Sequence, residues 1–474
     1  MATTAVPIDT ITISDPSTGE PVGTIDVADA RAVDAAVTAA RSALPAWSTT
    51  PATERAAALK RIAAAMRAHA GELAAANARE SGKLLADAQG GVQAGAGTVE
   101  QFAELGPLHR GRALEGDPYA YDAMRHEPRG VVAALVPFND PIAIAAQGLA
   151  AALATGNTVV FKPSERTPFC SALLAGLFAA ELPDGVVTLL QGDARTGRPL
   201  VAHDGVDAIL HTGAADTGRA IARAAAARGA HAVLELGGND ALVIDADVDP
   251  DWAAAQAASG AFANAGQICV AVERIYVHEA IAAPFLGALA RRAAELRLGP
   301  ATDPATTLGP LVDERARTAV HAQVAAALAA GARALTGGAP VEGPGTFYPA
   351  TVLTGVADDA AVMAQETFGP VAPVRVVGTF EEGIRRANAS PYGLAATALT
   401  CSQQHAAQAA ADLRAGTVKV NDVWGGAPGG AAHPRGISGA GLGHGPELLD
   451  GLTQVKAVHL EPGVAAPPGS PHRA

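Results

Sequence analysis

The sequence predicts an α/β protein with a doubly wound parallel sheet followed by a second α/β unit. Short aliphatic runs bounded by Gly, Pro or Asp alternate with helical stretches along the middle of the chain. Such runs are typical of strands buried on both faces of a sheet, and short strand–helix–strand links are typical of parallel connections. At 474 residues the chain is too long for one hydrophobic core, so we expect about three domains.

Five strands and three helices are predicted for the first sheet. The strands are Val131–Val136, Thr158–Phe161, Val186–Leu190, Ala208–Leu210 and Ala232–Leu236. The helices between them are Ile142–Ala154, Phe169–Glu181 and Asp216–Arg228. Two long amphipathic helices, Val33–Leu44 and Thr53–Gly82, are predicted ahead of this sheet.

A further alternation of helices and strands predicts the second α/β unit. Its predicted helices are Ile281–Leu296, Glu314–Ala330 and Phe380–Asn388, and its predicted strands are Arg274–Val277, Arg333–Thr336 and Val371–Val377. The tail Gly463–Ala474 is rich in Pro and Gly, so we expect it to be loose.

Composition and charge exclude several classes of partner. The formal charge of −13 argues against nucleic acid or an anionic membrane, because both favour basic patches. Three widely separated cysteines fit a reducing compartment rather than a disulfide framework. The N-terminus lacks the features of a signal peptide, and charges interrupt each apolar run before it reaches membrane-spanning length. We therefore expect a cytoplasmic protein with no membrane segment and no metal site.

Cys269 ends the Gly- and amide-rich segment Phe262–Cys269, where a thiol can be presented to a ligand. Cys170 and Cys401 have no such setting. A lone cysteine has two interpretations, an inert buried hydrophobe or a catalytic nucleophile that needs a base and an oxyanion site elsewhere.

Two polar residues near strand ends are candidate partners for this thiol. Asn139 follows a predicted strand, and it either caps the next helix or aims its amide at a developing oxyanion. Glu235 lies within an apolar strand, where a charged carboxylate is unfavourable. It is therefore either paired or has the raised pKa of a general base.

Three more segments are candidate ligand contacts. Lys162–Glu165 follows a strand, and its acid lies in a solvated turn or holds a ribose hydroxyl. His211–Gly218 is a strand-to-helix junction whose backbone could approach a pyrophosphate. Glu366 and Phe368 precede a Gly-Pro turn. The glycine-rich stretch Gly425–Gly445 lacks both G-x-G-x-x-G and a Walker A lysine, which predicts a flexible loop.

In this order, these segments resemble the motifs of the aldehyde dehydrogenase superfamily, and the resemblance runs from about Ile11 to Val458. The motifs are L-E-L-G-G, F-x-N-x-G-Q-x-C, P-[WF]-N-x-P, K-P-S-E and E-x-F-G-P. They match Leu234–Gly238, Phe262–Cys269, Pro137–Pro141, Lys162–Glu165 and Glu366–Pro370 respectively.

The resemblance implies NAD(P)-dependent oxidation of an aldehyde to a carboxylic acid. The Cys269 thiolate would attack the aldehyde, and the Asn139 amide and the backbone N–H of Cys269 would hold the oxyanion. Hydride transfer to the nicotinamide would leave a thioester. Glu235 would then activate water for deacylation.

The resemblance also implies a set of cofactor contacts. Lys162 and Glu165 would hold the adenosine ribose, Glu366 the nicotinamide ribose, and Phe368 would pack near the nicotinamide. The remaining expected contacts are Pro137, Phe138, Thr212, Gly213, Gly218 and Leu236. A carboxylate at 165 repels a 2′-phosphate and favours NAD, with NADP as the alternative because Lys162 and Arg166 could offset that repulsion.

The resemblance further implies a domain plan and an oligomer. Residues 1–116 and 130–235 would form the dinucleotide-binding domain and 236–445 the catalytic domain. Residues 117–129 and 446–462 would form a β arm that makes a homodimer or homotetramer, followed by the loose tail 463–474. The expected substrate-tunnel residues are Ile144, Gln147, Ile268, Val270, Trp424, Gly426 and Ala432. Their small or neutral side chains favour an apolar, aromatic or small polar aldehyde.

Several positions depart from the family pattern. Ala214 removes a hydroxyl near the phosphates, Phe138 replaces the common tryptophan, and Gly148 removes a lysine amine from any proton relay. Asn239-Asp240 and His433–Gly436 also differ from the usual residues.

Three alternatives stay open. A CoA-acylating relative would pass the acyl group to the thiol of CoA. Glu235 argues against this alternative, because acylating members generally lack a base at that position. A cysteine hydrolase would need a histidine within reach of Cys269. A non-catalytic scaffold would retain only the fold.

Overall fold

The computed structural model describes residues 9–117, 119–426, 430–461 and 463. Its strands are β1 Thr10–Ser14, β2 Pro21–Asp26, β3 Arg112–Leu114, β4 Tyr121–Pro128, β5 Val131–Leu135, β6 Thr158–Lys162, β7 Val187–Leu189, β8 Ala208–Gly213, β9 His231–Leu236, β10 Asp240–Ile244, β11 Val272–His278, β12 Arg333–Thr336, β13 Thr351–Thr354, β14 Val371–Val377, β15 Ala395–Leu399, β16 Thr417–Val420, β17 Gly439–Ala440 and β18 Thr453–Leu460.

The helices alternate with these strands and supply the outer layers. They are α1 Ala30–Thr49, α2 Ala52–Ala68, α3 Ala70–Ser81, α4 Leu85–Leu105, α5 Pro141–Ala154, α6 Pro168–Glu181, α7 Ala194–Ala202, α8 Ala215–Ala227, α9 Pro250–Phe262, α10 Glu279–Glu295, α11 Glu314–Ala329, α12 Ala361–Ala364, α13 Phe380–Ala387, α14 Gln403–Asp412 and α15 Glu447–Gly451. None of the helices in the described ranges is both long and apolar enough to cross a membrane.

The first sheet has six strands in the order β17-β9-β8-β5-β6-β7 and is parallel except for β17. Alternate residues of β5 belong to two separate hydrophobic cores, with Val132 and Ala134 in one and Val131 and Ala133 in the other. A strand that is buried on both faces needs helices on both faces. The predicted doubly wound sheet is therefore confirmed.

The second sheet has seven strands in the order β12-β13-β14-β11-β10-β15-β16, parallel except for the pairing of β12 with β13. One continuous core surrounds it, and strands such as β10 and β15 are fully buried. The predicted second α/β unit is confirmed.

A third, antiparallel sheet has the order β18-β4-β3. Strand β18 pairs with β4 along its whole length, from Thr453 opposite Pro128 to Leu460 opposite Tyr121. This is the β arm expected from the resemblance. The domain boundaries stay a prediction, and β17, inside the range 236–445, pairs with β9 of the first sheet. The predicted loose tail lies outside the described residues from 464 onwards.

Two differences from the predicted helices have a local cause. The stretch predicted as one helix over 53–82 is divided at His69, whose φ of −100° and ψ of 16° interrupt the α-helical path between α2 and α3. Helix α4, which sequence patterning did not predict, contains glycines that look like breakers. At Gly95 a Cβ would lie 3.2 Å from the Cα of Ala143, so the small residue permits close packing of α4 on α5.

Candidate active site

Cys269, Asn139 and seven of the ten predicted cofactor contacts meet where strand ends of the first sheet face the second α/β unit, whereas Glu235 is not among the residues that line their cavity. Asn139 follows β5, Thr212 and Gly213 end β8, and Cys269 precedes β11. These residues line a cavity of about 310 Å³. The complete lining is Pro137, Phe138, Asn139, Arg166, Thr212, Gly213, Ala214, Leu236, Gly237, Cys269, Arg315, Ala316, Ala319, Glu366, Thr367 and Phe368.

The segment before Cys269 is a compact turn held by its own amides. Asn264 has a φ of 49° and donates from Nδ2 to the Asn139 carbonyl at 3.3 Å, while the Gln267 carboxamide oxygen accepts from the Val312 N–H at 2.9 Å. A Cβ on Gly266 would lie 2.1 Å from the carbonyl oxygen of Gly369. The residues between Phe262 and Cys269 therefore fix where the thiol emerges.

The Cys269 side chain is partly exposed at the cavity, whereas Cys170 is buried and Cys401 is exposed elsewhere. Desolvation, followed by the nearby carboxyls of Asp240 and Glu366, raises the pKa of the Cys269 thiol to about 12. A thiol with that pKa is protonated at neutral pH, so it needs a base or a cation before it can react as a thiolate.

Asn139 does not occupy the cap position of the following helix. Helix α5 begins at Pro141 with Asp140 as its N-cap, and Asp140 makes no side-chain capping bond. Asn139 itself is buried and lines the cavity. The amide is thus located where an oxyanion donor is required.

Glu235 lies on β9, and its Oε1 accepts the Gly443 N–H at 2.8 Å. Burial raises the pKa of the Glu235 carboxyl to about 7, and that hydrogen bond opposes the rise. A Cβ on Gly443 would lie 2.1 Å from Cγ of Glu235, so only glycine fits. A pKa near neutrality is suited to a general base.

Glu366 and Phe368 also line the cavity. Glu366 accepts the Gly238 N–H at 3.2 Å, and burial together with the charge of Glu273 raises its pKa. Phe368 has a φ of 51° and meets the Phe138 ring edge-on, with centroids 5.8 Å apart.

Three predicted cofactor residues lie outside this cavity. Lys162 donates from Nζ to the carbonyls of Pro163 and Gly192, both at 2.6 Å. Glu165 lines a neighbouring cavity of about 470 Å³, which also contains Arg166 and Arg315.

Gly218 packs α8 against β9, because a Cβ there would lie 2.2 Å from Cδ2 of Leu236. Gly218 itself does not line the cavity, although Leu236 does.

None of the seven predicted tunnel residues lines the cavity that contains Cys269. Gln147 donates to the carbonyl of Gly443, the residue that also holds Glu235. The indole N–H of Trp424 donates to Ser259 at 2.9 Å, and Gly426 has a φ of 157°. Ile268, Val270 and Ala432 are partly buried, and Ile144 packs against a core.

The structure also shows the contacts of the residues that depart from the family pattern. Ala214 lines the cavity, and a Cβ on Gly148 would lie 2.7 Å from Cδ2 of Leu210, so a larger residue there requires repacking. Asn239 donates from Nδ2 to Glu273 at 3.2 Å. The Arg435 N–H donates to the Gly393 carbonyl at 3.0 Å, which anchors the segment His433–Gly436.

Two further residues shape the site: Glu273, which sequence reasoning missed, and Arg166, which it considered only as a partner of a 2′-phosphate. Glu273 is buried and accepts the N–H groups of Thr367 and Phe368 at 2.9 and 2.7 Å, which fixes the turn between α12 and β14. Its signal, an acid inside an apolar strand, is the same as that of Glu235. Arg166 lies over the Phe138 ring at 4.8 Å and pairs with Asp313 at 2.9 Å.

Comparison with known proteins supplies independent findings. The sequence profile of the aldehyde dehydrogenase family matches residues 3–458. The NAD+ complex of an aldehyde dehydrogenase from Bacillus cereus has a TM-score of 0.93 and 33% identity, covering 96% of this chain and 93% of that one. An NADP-dependent enzyme from E. coli has a TM-score of 0.92 and 32% identity, covering 96% and 95%. A betaine aldehyde dehydrogenase from Staphylococcus aureus, in complex with NAD+, has a TM-score of 0.93 and 30% identity, again covering 96% and 95%.

Proposed function

The chain belongs to the aldehyde dehydrogenase family and is an NAD(P)-dependent enzyme, and from this premise we propose that it oxidises an aldehyde through a thioester on Cys269. The observation that supports this most directly is the shared cavity, whose wall combines the Cys269 thiol with the Asn139 amide and Glu366. The product is the carboxylic acid.

In the acylation half of the proposed reaction, the Cys269 thiol gives up its proton to a solvent base, and the resulting thiolate adds to the aldehyde carbon and forms a tetrahedral adduct. The Asn139 amide and the backbone N–H of Cys269 stabilise its oxyanion, an effect of about a hundredfold or more in rate per donor. The cofactor supplies a hydride acceptor when it is bound. Collapse of the adduct leaves an acyl thioester on Cys269.

In the deacylation half, Glu235 takes a proton from the attacking water. Its carboxyl has a pKa of about 7 because it is buried, and the Gly443 N–H holds one carboxylate oxygen at 2.8 Å. A base of that strength removes a proton efficiently at neutral pH. The thiol of Cys269 is then released for another turnover.

The residues present fit a dinucleotide. A Cβ on Gly237 would lie 2.0 Å from an oxygen of Glu366, so the glycine leaves room for that carboxylate at the cavity wall. We propose that Glu366 and Phe368 hold the nicotinamide riboside and that Lys162 and Glu165 hold the adenosine ribose. NAD is the preferred form because Glu165 repels a 2′-phosphate. Arg315 lies 3.6 Å from Glu165 and reduces that repulsion, which keeps NADP as the alternative.

The substrate proposal remains an apolar, aromatic or small polar aldehyde. Arg166 and Arg315 are the only arginines in the described lining around Cys269, and both pair with Asp313. Each guanidinium already pairs with a carboxylate, which disfavours its use as a bidentate clamp on a substrate carboxylate.

We also propose a cytoplasmic homo-oligomer, a dimer or a tetramer, formed through the three-stranded sheet. Strand β18 is an edge strand of that sheet, and Val455 and Leu460 on it are 51% and 58% exposed. Exposed apolar edge strands are ready partners for another chain. Size-exclusion chromatography with light scattering measures the number of chains per particle. Val455→Asp is expected to lower that number.

One assay tests the activity and its alternatives. NADH or NADPH absorbance is followed with a panel of aldehydes, with and without CoA, for the wild type and for Cys269→Ala. We expect reduced cofactor without CoA from the wild type and none from the variant. A requirement for CoA would indicate the acylating reaction. Equal behaviour of both proteins would contradict the proposal, as would ester or amide hydrolysis in the absence of any aldehyde oxidation.

A further inference from the structure

The base of the three-stranded sheet carries a side-chain cluster that the aldehyde chemistry does not use. His109 follows the short 3-10 turn after α4, His126 lies on β4, and Asp450 lies on α15. One ring nitrogen of each histidine and one carboxylate oxygen all lie within 4.8 Å of one another. We infer that His109, His126 and Asp450 form a binding site for a divalent transition-metal ion of the zinc type.

The geometry is close to that of a bound ion. His109 Nε2 and Asp450 Oδ1 are 2.8 Å apart, and the two imidazole centroids are 4.2 Å apart. Ligand atoms about 2.0 to 2.2 Å from a tetrahedral zinc lie about 3.3 Å from one another. The Asp450 side chain is 63% exposed and free to rotate, so small movements bring the three atoms to that spacing. The ion would take the place of the proton between His109 Nε2 and Asp450 Oδ1, and the neutral imidazole of His109 would then carry its proton on Nδ1.

The hydrogen bonds around His126 prepare it to act as a ligand. The Thr453 hydroxyl donates to the Leu449 carbonyl at 2.9 Å, so its 3.0 Å contact with His126 Nδ1 is a donation from the ring N–H. Nε2 of His126 therefore carries the lone pair. Histidines that bind a metal typically donate a hydrogen bond from their other ring N–H to a fixed acceptor in this way.

The donor set selects the class of ion. Two imidazoles and one carboxylate suit zinc, cobalt or nickel, whereas calcium and magnesium prefer oxygen ligands throughout. A water molecule would complete the coordination. Because the three residues come from separate segments, a bound ion would tie the β arm to the end of α4 and to α15. We therefore expect the ion to stabilise the fold.

The test is a zinc titration of the metal-free, full-length protein against a competing zinc indicator, repeated with Co²⁺ absorption. We expect one ion per chain and tetrahedral cobalt bands without a sulfur-to-cobalt charge-transfer band. Asp450→Asn and His126→Gln are each expected to weaken zinc binding at least tenfold. Asp450→Asn changes an exposed side chain and so leaves the fold intact. Zinc is also expected to raise the melting temperature of the wild type and not of these variants.

The matched control is His459→Gln, which removes another histidine of the same arm, paired with Asp122 at 2.7 Å but outside the cluster. Its zinc affinity is expected to equal that of the wild type. The inference is overturned if the wild type binds no zinc, if Asp450→Asn and His126→Gln bind as tightly as the control, or if the cobalt spectrum shows thiolate bands that Cys269→Ser removes.

Discussion

At the scale of single residues, the reactivity of Cys269 depends first on its desolvation and then on its carboxyl neighbours. Desolvation and the charges of Asp240, Glu366 and Glu235 all raise the pKa of the thiol, to about 12. Only the thiolate reacts with an alkylating agent. We expect the iodoacetamide labelling rate of Cys269 to rise about tenfold per pH unit from pH 7 to pH 10 without a plateau, since each unit multiplies the thiolate fraction tenfold below the pKa. Mass spectrometry of the Cys269 peptide measures the rate, with the exposed Cys401 as internal reagent control, and a plateau below pH 8 would refute it.

Glu235 is expected to act after the hydride transfer. Glu235→Gln should leave the first turnover intact, giving a burst of one NADH per site, and should slow steady-state turnover about a hundredfold or more because deacylation loses its base. Stopped-flow absorbance separates the two phases. Glu127→Gln, on strand β4 and paired with Lys456 away from the cavity, is the control and should match the wild type. A Glu235→Gln variant with no burst would place Glu235 in acylation instead.

Gln147 is expected to position Glu235 through the loop that contains Gly443. Gln147→Leu removes the donor to the Gly443 carbonyl, a contact worth about 1 kcal/mol, so steady-state turnover should fall several-fold while the burst rate is unchanged. Gln93→Leu, at an exposed position of α4, serves as the control. If the Gln147 variant raised only the KM for the aldehyde, the original tunnel assignment would be favoured.

At the scale of elements, the turn between α12 and β14 is held by the Glu273 carboxylate together with the carboxamides of Asn239 and Gln323. Glu273 on β11 accepts the N–H groups of Thr367 and Phe368, and this fixes both Phe368 and the neighbouring Glu366 at the cavity. The position of two proposed cofactor contacts thus depends on the register between β11 and β14.

Glu273→Ala leaves those buried N–H groups without an acceptor, so we expect a loss of about 2 to 4 kcal/mol in the free energy of unfolding. We also expect weaker NAD binding, measured by isothermal titration calorimetry. Glu279→Ala, exposed in the first turn of α10, should change stability by less than about 1 kcal/mol. Unchanged NAD affinity in a folded Glu273→Ala protein would show that the turn does not depend on this contact.

At the scale of the whole molecule, buried acids link stability to pH. Burial raises the pKa of Glu80 and of Glu235 to about 7, above the ordinary value of 4.5. A group whose folded-state pKa is raised stabilises the fold below its unfolded pKa and loses that contribution as pH rises through the folded pKa. Burial lowers the pKa of His211 to about 4, so this residue makes stability rise with pH. It does so only below pH 6.5, the ordinary pKa of histidine.

We therefore expect stability to fall between pH 6.5 and pH 8, with a smaller slope in Glu80→Gln. Denaturant unfolding at several pH values measures the free energy of unfolding for the wild type and the variant. Glu100→Gln is the control, because Arg67 lowers the pKa of the exposed Glu100 and its contribution changes only at acidic pH. Stability that rises over this interval would contradict the expectation.

Some residues of the candidate site could be located from the sequence, and others could not. Cys269, Asn139 and Glu366 were located by local patterns, and the structure brings them to one cavity. Gln147 was expected in a tunnel, and its observed contact is with Gly443. Glu273 was missed although it has the same pattern as Glu235, because the pattern does not reveal which N–H groups a buried acid accepts.

The sequence by itself determined the fold class and the order of the motifs, because strand and helix periodicity and short turns depend on neighbouring residues. Tertiary structure alone decided the contacts that give the site its chemistry. Gly443 reaches Glu235 across 208 positions of the chain, and Phe368 reaches Glu273 across 95. Such pairs form only when two sheets and a C-terminal strand pack together, since desolvation and hydrogen bonding in the packed site depend on atoms that are remote in sequence.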